Sequence, residues 1–288
     1  MADIKIMVDS AADLTAEQLE ANSIGLIPLL SVFDEKAYVI GKELSNEKFY
    51  EMLKDCKKLP KTSQTPYATM YDILLKESLE HETVIHITIS SKASGQNHSA
   101  HLVREDIMEN GNPKANIIIL DSMTFSMIIG RSAIEEVKYV NDGFSADEVV
   151  KKTEEYISGW HALLLVSDLM FLEKGGRLRM STAILGSLLD IKPVLTITDG
   201  LIEVESKLRG KKKVYKKLCE MADEYEGYDS EAGEFIVVHS DAETGEELAD
   251  AIRDELGEDA DITISEFGPL IGTNTGNGAV ALIFRLKK

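Results

Sequence analysis

The sequence predicts an α/β protein of two domains. We expect an amino-terminal doubly wound parallel-sheet domain over residues 1–155 and a carboxy-terminal α+β domain with a mixed or antiparallel sheet over residues 156–288. Strand-like and helix-like segments alternate through the first half, which is typical of a parallel sheet covered by helices. In the second half an Asp-Gly pair divides two strand-like segments, which indicates antiparallel pairing. The length of 288 residues suits two domains better than one.

Four short apolar runs predict the strands of the first domain, and they cover residues 4–8, 24–30, 84–90 and 117–120. Their apolar character is continuous rather than alternating. That pattern is typical of strands in a parallel sheet that is buried on both faces. Residues about 61–75 form a segment that could pack with the second domain instead.

Capping residues predict where the helices of this domain begin and end. They are the capping-box pair Thr15 and Gln18, Thr65-Pro66 ahead of a helix to Glu80, Gly111 after a helix over 95–110, and Ser145 with Glu148 ahead of a helix that ends near Gly159.

The second half contains six further strand candidates, at residues 162–167, 194–198, 201–205, 235–239, 262–267 and 279–286. Asp199-Gly200 lies between two of them and predicts a two-residue hairpin turn. The region is therefore predicted to be an α+β domain.

Composition and charge narrow the class of protein. There are 31 Lys and Arg against 50 Asp and Glu, for a net charge of −19, which disfavours nucleic acid as a partner. The two cysteines, Cys56 and Cys219, form no Cys-x-x-Cys pair, so we expect neither a disulfide framework nor a metal site. No apolar run reaches the length of a membrane span, and no signal-peptide pattern is present. We expect a cytoplasmic protein without stable membrane insertion.

Polar residues follow the predicted strands of the first domain. Asp9-Ser10, Ser90-Ser91 and Asp121-Ser122 stand where three strands end, and in an open α/β sheet the loops at this edge form the ligand crevice. Residues 90–95 lead into a helix, where hydroxyl groups and free backbone N–H groups would be suited to an anion. A second hydroxyl cluster, residues 61–65, also precedes a helix. Helix capping explains the same Ser and Thr residues, so both interpretations stay open.

Two further segments stand out. Residues 268–278 contain four glycines, which favours either a loop whose backbone passes close to a ligand or a tight connection with Asn277-Gly278 as its turn. Residues 174–217 carry 11 Lys and Arg against 4 Asp and Glu, a local charge of +7 within an acidic chain. This second segment is either a docking face for an anionic partner or a solvated surface. Its candidate docking residues are Lys174, Arg177, Arg209 and Lys211.

Motifs spread over nearly the whole chain resemble the DegV family. In order they are Asp9-Ser10, Lys61-Thr62-Ser63-Gln64, Ser90-Ser91-x-x-Ser94-Gly95, Leu172-Glu173-Lys174-Gly175-Gly176-Arg177, Lys192-Pro193 and Ile271-Gly272-Thr273-x-Thr275-Gly276. Each motif is weak alone, whereas the ordered set is specific. The resemblance implies two α/β domains that hold one long-chain fatty acid, such as palmitate, in a tunnel between them.

The same resemblance assigns roles to residues. It implies that Thr62 and Ser94 hold the fatty-acid carboxylate, with secondary ligand-loop candidates at Ser63, Ser91, Gly95, Thr273 and Asn274. It also implies a non-enzymatic acyl carrier without cofactor, which presents its fatty acid to a separate fatty-acid kinase. Apolar lining could come from residues 183–189, whose helical spacing is equally typical of ordinary core.

Three positions depart from the family pattern. Asn274 stands where the family usually has histidine, Asn277 where it has proline, and Gln96-Asn97 where it has Thr-Tyr. An amide at position 274 donates a hydrogen bond but carries no charge. We therefore expect fatty-acid binding to survive these changes better than transfer of the acyl group through a kinase.

Several alternatives to the lipid carrier can be compared with the sequence. A serine hydrolase or acyltransferase would use Ser91 or Ser94, but the chain has no Gly-x-Ser-x-Gly elbow. A nucleotide-dependent phosphotransferase would need a glycine-rich phosphate motif that the sequence lacks. A carrier of another apolar carboxylic acid stays open because of Asn274. His98 and His101 share a helix face, yet no third metal ligand stands near them in the sequence.

Overall fold

The computed structural model describes residues 3–111, 113–179, 191–209 and 214–287. The chain divides into two compact units. Unit 1 comprises Met1–Ser45 and Thr62–Ile157, and unit 2 comprises Asn46–Lys61 and Ser158–Lys288. Residues 46–61 therefore fold with the second half of the chain.

The first part of the chain alternates strands and helices. In chain order they are β1 (Ile4–Asp9), α1 (Ala16–Ala21), β2 (Gly25–Ile27), β3 (Leu30–Phe33), β4 (Lys36–Val39), α2 (Asn46–Asp55), β5 (Lys61–Ser63), α3 (Tyr67–Glu80), β6 (Thr83–Thr88), α4 (Gln96–Asn110), β7 (Asn116–Asp121), α5 (Met127–Asn141) and α6 (Ala146–Ser158).

The remaining elements belong to unit 2. They are β8 (Trp160–Leu165), α7 (Met170–Gly175), β9 (Ile191–Thr198), β10 (Leu201–Arg209), α8 (Val214–Asp223), β11 (Glu234–His239), α9 (Ala242–Leu256), β12 (Asp261–Glu266), α10 (Pro269–Thr275) and β13 (Val280–Arg285).

A parallel sheet forms the centre of unit 1. Its strand order is β2-β1-β6-β7, and every neighbouring pair is parallel. Helices α3 and α4 bury apolar side chains such as Met70, Leu74, Val103 and Ile107 against Met7 of β1. The predicted parallel-sheet domain is therefore confirmed. The chain between β2 and α3 also forms a smaller three-stranded sheet, in the order β4-β3-β5.

The run predicted as one strand over residues 24–30 is wrong, because the structure divides it into β2 and β3. Pro28 stands between the two strands, and proline has no backbone N–H to donate to a sheet ladder. After Pro28 the chain leaves the parallel sheet and pairs with β4 in the antiparallel sense.

Most of the predicted helix ends are confirmed. Thr15 and Gln18 form a reciprocal capping box, with N–H to side-chain oxygen distances of 2.9 and 3.1 Å. Gly111 ends α4 as its C-cap residue. The backbone N–H of Ser145 donates to the Glu148 carboxyl group at 2.9 Å, at the start of α6.

Thr65 was predicted to cap α3, and this is wrong. Pro66 is the N-cap residue, and no side chain caps this helix end. The Thr65 hydroxyl donates instead to the carbonyl oxygen of Pro28, 2.9 Å away.

Unit 2 contains a mixed six-stranded sheet in the order β10-β9-β8-β13-β11-β12. Only β11 and β12 are parallel neighbours, and the other pairs are antiparallel. Asp199 and Gly200 connect β9 and β10 with φ angles of 49° and 76°. Positive φ at both residues is typical of a type I′ hairpin turn, so the predicted hairpin and mixed sheet are confirmed.

The glycine-rich segment is mainly helical. Residues 269–275 form α10, and the predicted loop is therefore wrong for this stretch, although Gly276 and Gly278 do adopt positive φ in the turn that follows. Close packing explains why position 272 is a glycine. An ideal Cβ atom on Gly272 would lie 2.6 Å from the Phe49 ring and 3.0 Å from the Tyr50 hydroxyl. Only glycine lets α10 approach α2 this closely.

A carboxyl group lies in the interior of unit 1. Glu136 of α5 is fully buried, and neither of its carboxyl oxygens has a well-formed hydrogen bond among the described residues. Burial raises the pKa of Glu136 to about 8. The neighbouring Thr153 hydroxyl of α6 donates its hydrogen to the carbonyl oxygen of Val149 at 2.8 Å and so does not stabilise an ionised Glu136. Glu136 is therefore protonated at neutral pH.

No helix in the described part of the chain combines the length and the apolar character that a membrane crossing requires.

We expect Gly272→Ala to destabilise the protein by roughly 1–3 kcal/mol, because the added methyl group meets the Phe49 ring. Chemical denaturation measures the change. In a Phe49→Val background the same substitution should cost less, since the smaller side chain leaves room. Equal costs in both backgrounds would contradict the packing described here.

Replacing Glu136 by glutamine should flatten the pH dependence of stability. The native carboxyl group holds its proton up to about pH 8, whereas the unfolded chain releases it near the ordinary glutamate pKa of 4.5. Unfolding between these values releases a proton, so the wild-type protein loses stability as the pH rises through this window. The unfolding constants of wild type and Glu136→Gln should diverge by up to about tenfold per pH unit between pH 6 and 8. Glu135→Gln, at the neighbouring less buried position, is the control, and an identical pH profile for all three proteins would contradict the assignment.

Candidate functional site

The carboxyl ends of β1, β6 and β7 lie at one edge of the parallel sheet. Val8 pairs with Ile87, and Thr88 pairs with Asp121, so the loops that follow these strands emerge side by side. The polar residues that were singled out in the sequence after these strands are thus neighbours in the fold. Asp9 is among them, and it is completely buried.

The loop of residues 90–95 uses nearly all of its own backbone donors. The N–H groups of Ala93 and Ser94 donate to the carbonyl oxygen of Ser90 at 3.2 and 3.1 Å. The N–H of Lys92 donates to the Ser90 hydroxyl at 3.2 Å. The N–H of Ser91 donates to the Asp121 carboxyl group at 3.1 Å. The expectation of free backbone N–H groups is therefore wrong for Ser91 to Ser94, because the turn consumes them. Within Ser91 to Ser94, the donors left for an anion are on the side chains.

Ser94 stands at the end of this loop and is half-buried. Its Oγ atom accepts a hydrogen bond from the backbone N–H of Gln96 at 3.2 Å. A hydroxyl group that accepts still has its own hydrogen to donate, so Ser94 can offer that hydrogen to a ligand. Ser91 and Gly95 are exposed beside it.

Thr62 is the central residue of β5, a short strand that pairs with β3 in the smaller sheet. Its side chain is half-buried, and no residue in the described ranges hydrogen-bonds to its hydroxyl group. Ser63 is exposed, and its hydroxyl makes a long contact of 3.5 Å to the carbonyl oxygen of Gln64. Thr62 is thus the inward-facing hydroxyl of this strand.

Side chains tie the Thr62 segment to the beginning of α4. The Ser99 hydroxyl donates to Gln64 Oε1 at 3.0 Å, and a Cβ atom on Gly95 would lie 3.0 Å from the same oxygen. The backbone N–H of Thr65 donates to the side chain of Gln96 at 3.0 Å. The two hydroxyl clusters that the sequence places far apart therefore lie together in unit 1.

Sequence reasoning missed the residues that join these clusters. Gln96 Nε2 donates to Asp9 Oδ1 and to Thr65 Oγ1, each at 2.9 Å. Asp9 also accepts from His86 Nε2 at 2.9 Å and from the backbone N–H of Ile89 at 2.8 Å. The one available signal was a buried-type strand that ends in aspartate, together with an unusual Gln-Asn pair at the start of a helix.

Thr273 and Asn274 lie on α10 of unit 2, and their side chains bond to their own helix. The Thr273 hydroxyl donates to the carbonyl oxygen of Pro269 at 2.7 Å, and the Asn274 amide donates to that of Leu270 at 3.1 Å. Asn274 Oδ1 lies beside Gly175, where an added Cβ atom would approach to 2.6 Å. The Asn274 side chain is therefore confined between its helix and the end of α7.

The candidate docking residues are only partly described. Lys174 is exposed in the last turn of α7, and the Arg177 guanidinium donates to the carbonyl oxygen of Gly175. Arg209 is the last residue of β10. Lys211, like the proposed lining at residues 183–189, lies outside the described residues.

His86 and His161 are held by contacts within the fold. His86 is fully buried against Asp9. His161 stacks on Tyr225 with ring centroids 3.9 Å apart, and burial lowers its pKa to about 4. Within the described ranges, Glu77, Glu80 and His81 form the one group of three candidate metal ligands whose donor atoms lie within 4.8 Å of one another. Neither His98 nor His101 belongs to that group.

Comparisons with known proteins match the entire fold. A DegV protein of Bacillus subtilis, described as a fatty acid binding protein, superposes with a TM-score of 0.85 at 31% identity and with full coverage of both chains. A fatty acid binding DegV family protein of Streptococcus agalactiae gives 0.85 at 30% identity, again with full coverage of both. A stearic acid-binding protein of Eubacterium ventriosum gives 0.85 at 26% identity, over 99% of this chain and 98% of the other.

Sequence comparison leads to the same family. A DegV domain-containing protein of Halalkalibacterium halodurans is 35% identical over the full length of both chains. The family model described as "Uncharacterised protein, DegV family" matches residues 3–287. The protein therefore belongs to the DegV family.

Proposed function

We propose that the protein binds one long-chain fatty acid, with its carboxylate held by the hydroxyl groups of Thr62 and Ser94, and carries it to a separate fatty-acid kinase in the cytoplasm. The observation that carries the proposal is the network in unit 1 that holds the Thr62 strand against the Ser94 loop. Relatives at 30% and 31% identity are described as fatty acid binding proteins, which supports the same class of ligand. That the acyl chain runs between the two domains stays a prediction.

Hydroxyl donors suit a carboxylate in this position. The backbone N–H groups of the 90–94 loop are already bonded, whereas the Thr62 and Ser94 hydroxyls each still have a hydrogen to donate. Each hydrogen bond to a charged group contributes about 1.5–3 kcal/mol. Burial of about 14 methylene groups at roughly 0.8 kcal/mol each offers about 11 kcal/mol before ordering costs. The tail therefore supplies most of the affinity, and the two hydroxyl groups fix where the tail begins.

The geometry of Ser94 favours binding over catalysis. Ser94 Oγ accepts from the backbone N–H of Gln96, two residues on, which is the geometry of a serine turn. A nucleophilic serine would donate its hydrogen to a neighbouring base. His86, the buried imidazole near this edge of the sheet, has its Nε2 atom engaged with Asp9. A hydrolase that uses Ser94 would need a different arrangement of these groups.

Purified protein should carry a fatty acid with it. Organic extraction followed by mass spectrometry is expected to release one acyl chain per protein molecule, because burial of the tail makes dissociation slow. Heat-denatured protein that is processed in parallel controls for lipid that adheres non-specifically. No acyl chain in the extract, together with no uptake of added palmitate or stearate, would contradict the proposal.

Thr62→Val and Ser94→Ala should each weaken palmitate binding by about 10- to 150-fold, the equivalent of one lost hydrogen bond to a charged group. Thr62→Val keeps the shape of the side chain, so the β5 pairing survives. Ser63→Ala is the matched control, since the exposed Ser63 hydroxyl makes only a long contact to a neighbouring carbonyl. Titration of a fluorescent fatty acid with palmitate as competitor measures the three affinities. If the control loses as much affinity as the two variants, the carboxylate assignment is wrong.

Delivery to a kinase can be tested at the exposed Lys174. With an acyl-loaded protein, a fatty-acid kinase and ATP, Lys174→Glu should slow acyl phosphate formation while palmitate affinity stays unchanged. Lys151→Glu reverses an equally exposed charge on α6 of unit 1 and serves as the control. Equal rates for both variants would remove Lys174 from the docking face.

A further inference from the structure

Gln96 is an unusual residue for the start of a helix. It is the first residue of α4 and is completely buried, although its side chain is polar. A buried amide is costly unless each of its donors and acceptors has a partner. The partners of Gln96 come from three separate parts of unit 1: the end of β1, the segment after β5, and the loop before α4.

The two ends of Gln96 reach the two hydroxyl-bearing segments. Its backbone N–H donates to Ser94 Oγ at 3.2 Å. Its side chain holds Thr65 twice, since Oε1 accepts from the Thr65 N–H at 3.0 Å and Nε2 donates to Thr65 Oγ1 at 2.9 Å. Thr65 comes three residues after Thr62. One residue therefore contacts Ser94 directly and the Thr62 segment through Thr65.

Asp9 determines which way the Gln96 amide points. The second hydrogen of Nε2 goes to Asp9 Oδ1 at 2.9 Å. A reversed amide would set Oε1 against the Asp9 carboxyl oxygen and the NH₂ group against the Thr65 N–H. Both contacts would be repulsive, so only one orientation is compatible with these neighbours. The Thr65 hydroxyl is engaged as well, because it donates to the carbonyl oxygen of Pro28 at 2.9 Å.

We infer that Gln96 is a positioning residue that sets the distance between the Thr62 and Ser94 hydroxyl groups. The inference rests on the proposed function and deepens it. Two donors share one carboxylate only if both lie at hydrogen-bond distance from its oxygens, a tolerance of about 0.5 Å. Without the bridge through Gln96, the Thr62 strand and the Ser94 loop would be held mainly by the exposed contact of Gln64 with Ser99.

The test compares Gln96→Met with Asn97→Ala. Methionine keeps the length of the side chain and removes all three amide hydrogen bonds. Asn97 is the neighbouring residue of α4, and its amide donates to the Thr88 hydroxyl at 2.9 Å and not to either hydroxyl cluster. Asn97→Ala therefore removes a buried hydrogen bond and reports on general loss of stability.

Two ligands of equal chain length separate positioning from stability: palmitate, which has the carboxylate, and 1-hexadecanol, which lacks it. Gln96→Met should bind palmitate about tenfold more weakly and hexadecanol within threefold of wild type. Asn97→Ala should change both affinities by less than threefold. Equal losses for the two ligands in Gln96→Met, or no loss at all, would overturn the inference.

A second variant covers the case in which Gln96→Met does not fold. Gln96→Glu keeps the size of the side chain but sets a carboxyl group against Asp9. Its palmitate affinity should fall about tenfold relative to wild type, because a carboxyl group cannot make both of the donations that Nε2 makes, to Asp9 and to the Thr65 hydroxyl. An affinity equal to that of wild type would count against the role of Gln96.

Failure of the proposed function has a different signature. If wild-type protein binds neither ligand, the lipid assignment fails, and the role of Gln96 is then read from hydrogen exchange at the Thr65 amide. That amide should exchange faster in Gln96→Met than in Asn97→Ala. Exchange at the Asn97→Ala rate would overturn the positioning role by itself.

Discussion

The buried carboxyl group of Asp9 is the interaction on which the candidate site depends. A carboxyl group without access to water is tolerated only when donors surround it. Asp9 obtains these from His86 of β6, from the backbone of Ile89 and from the amide of Gln96. His86 lies in β6, Ile89 directly follows that strand, and Gln96 begins α4. The hydrogen bonds to the two carboxyl oxygens of Asp9 thus hold the end of β1, the end of β6 and the beginning of α4 together.

The turn before α4 differs from the usual anion-binding amino terminus of a helix. In a phosphate-binding loop, free backbone N–H groups and the helix dipole hold the anion. Here the N–H groups from Ser91 to Ser94 are bonded within the protein. Under the proposed function, hydroxyl groups take their place, and Gln96, deeper in the domain, bonds to both of the segments that carry them. The proposal thus makes recognition of a carboxylate depend on a residue that the ligand does not contact.

Local signals in the sequence predicted local structure well. Continuous apolar runs predicted the parallel strands, and Asp199-Gly200 predicted a hairpin because its backbone conformation demands those residue types. Two of the wrong predictions share one cause, which is a partner distant in sequence, whereas the strand over residues 24–30 is divided locally by Pro28. The sequence around Thr65 is typical of a helix cap. In the structure its hydroxyl donates to Pro28, 37 positions away, and its N–H donates to Gln96, 31 positions away. Residues 269–275 looked like a loop because their glycine content reflects the nearby Phe49 rather than a need for positive φ. The motif residues Thr62 and Ser94 could be found from the family resemblance. The sequence marks Gln96 only as a departure from the family pattern, and its partners appear only in three dimensions.

The packing of α2 against α10 has a consequence for synthesis on the ribosome. The Tyr50 hydroxyl donates to the carbonyl oxygen of Phe267 at 2.9 Å, across 217 positions of chain. A nascent polypeptide emerges from its amino terminus and folds as it lengthens. Residues 46–61 leave the exit tunnel early. The residues that they pack against in the folded protein, near position 270, are synthesised only towards the end of translation. During that interval Phe49 and Leu53, both buried in the finished protein, remain open to water and to chaperones.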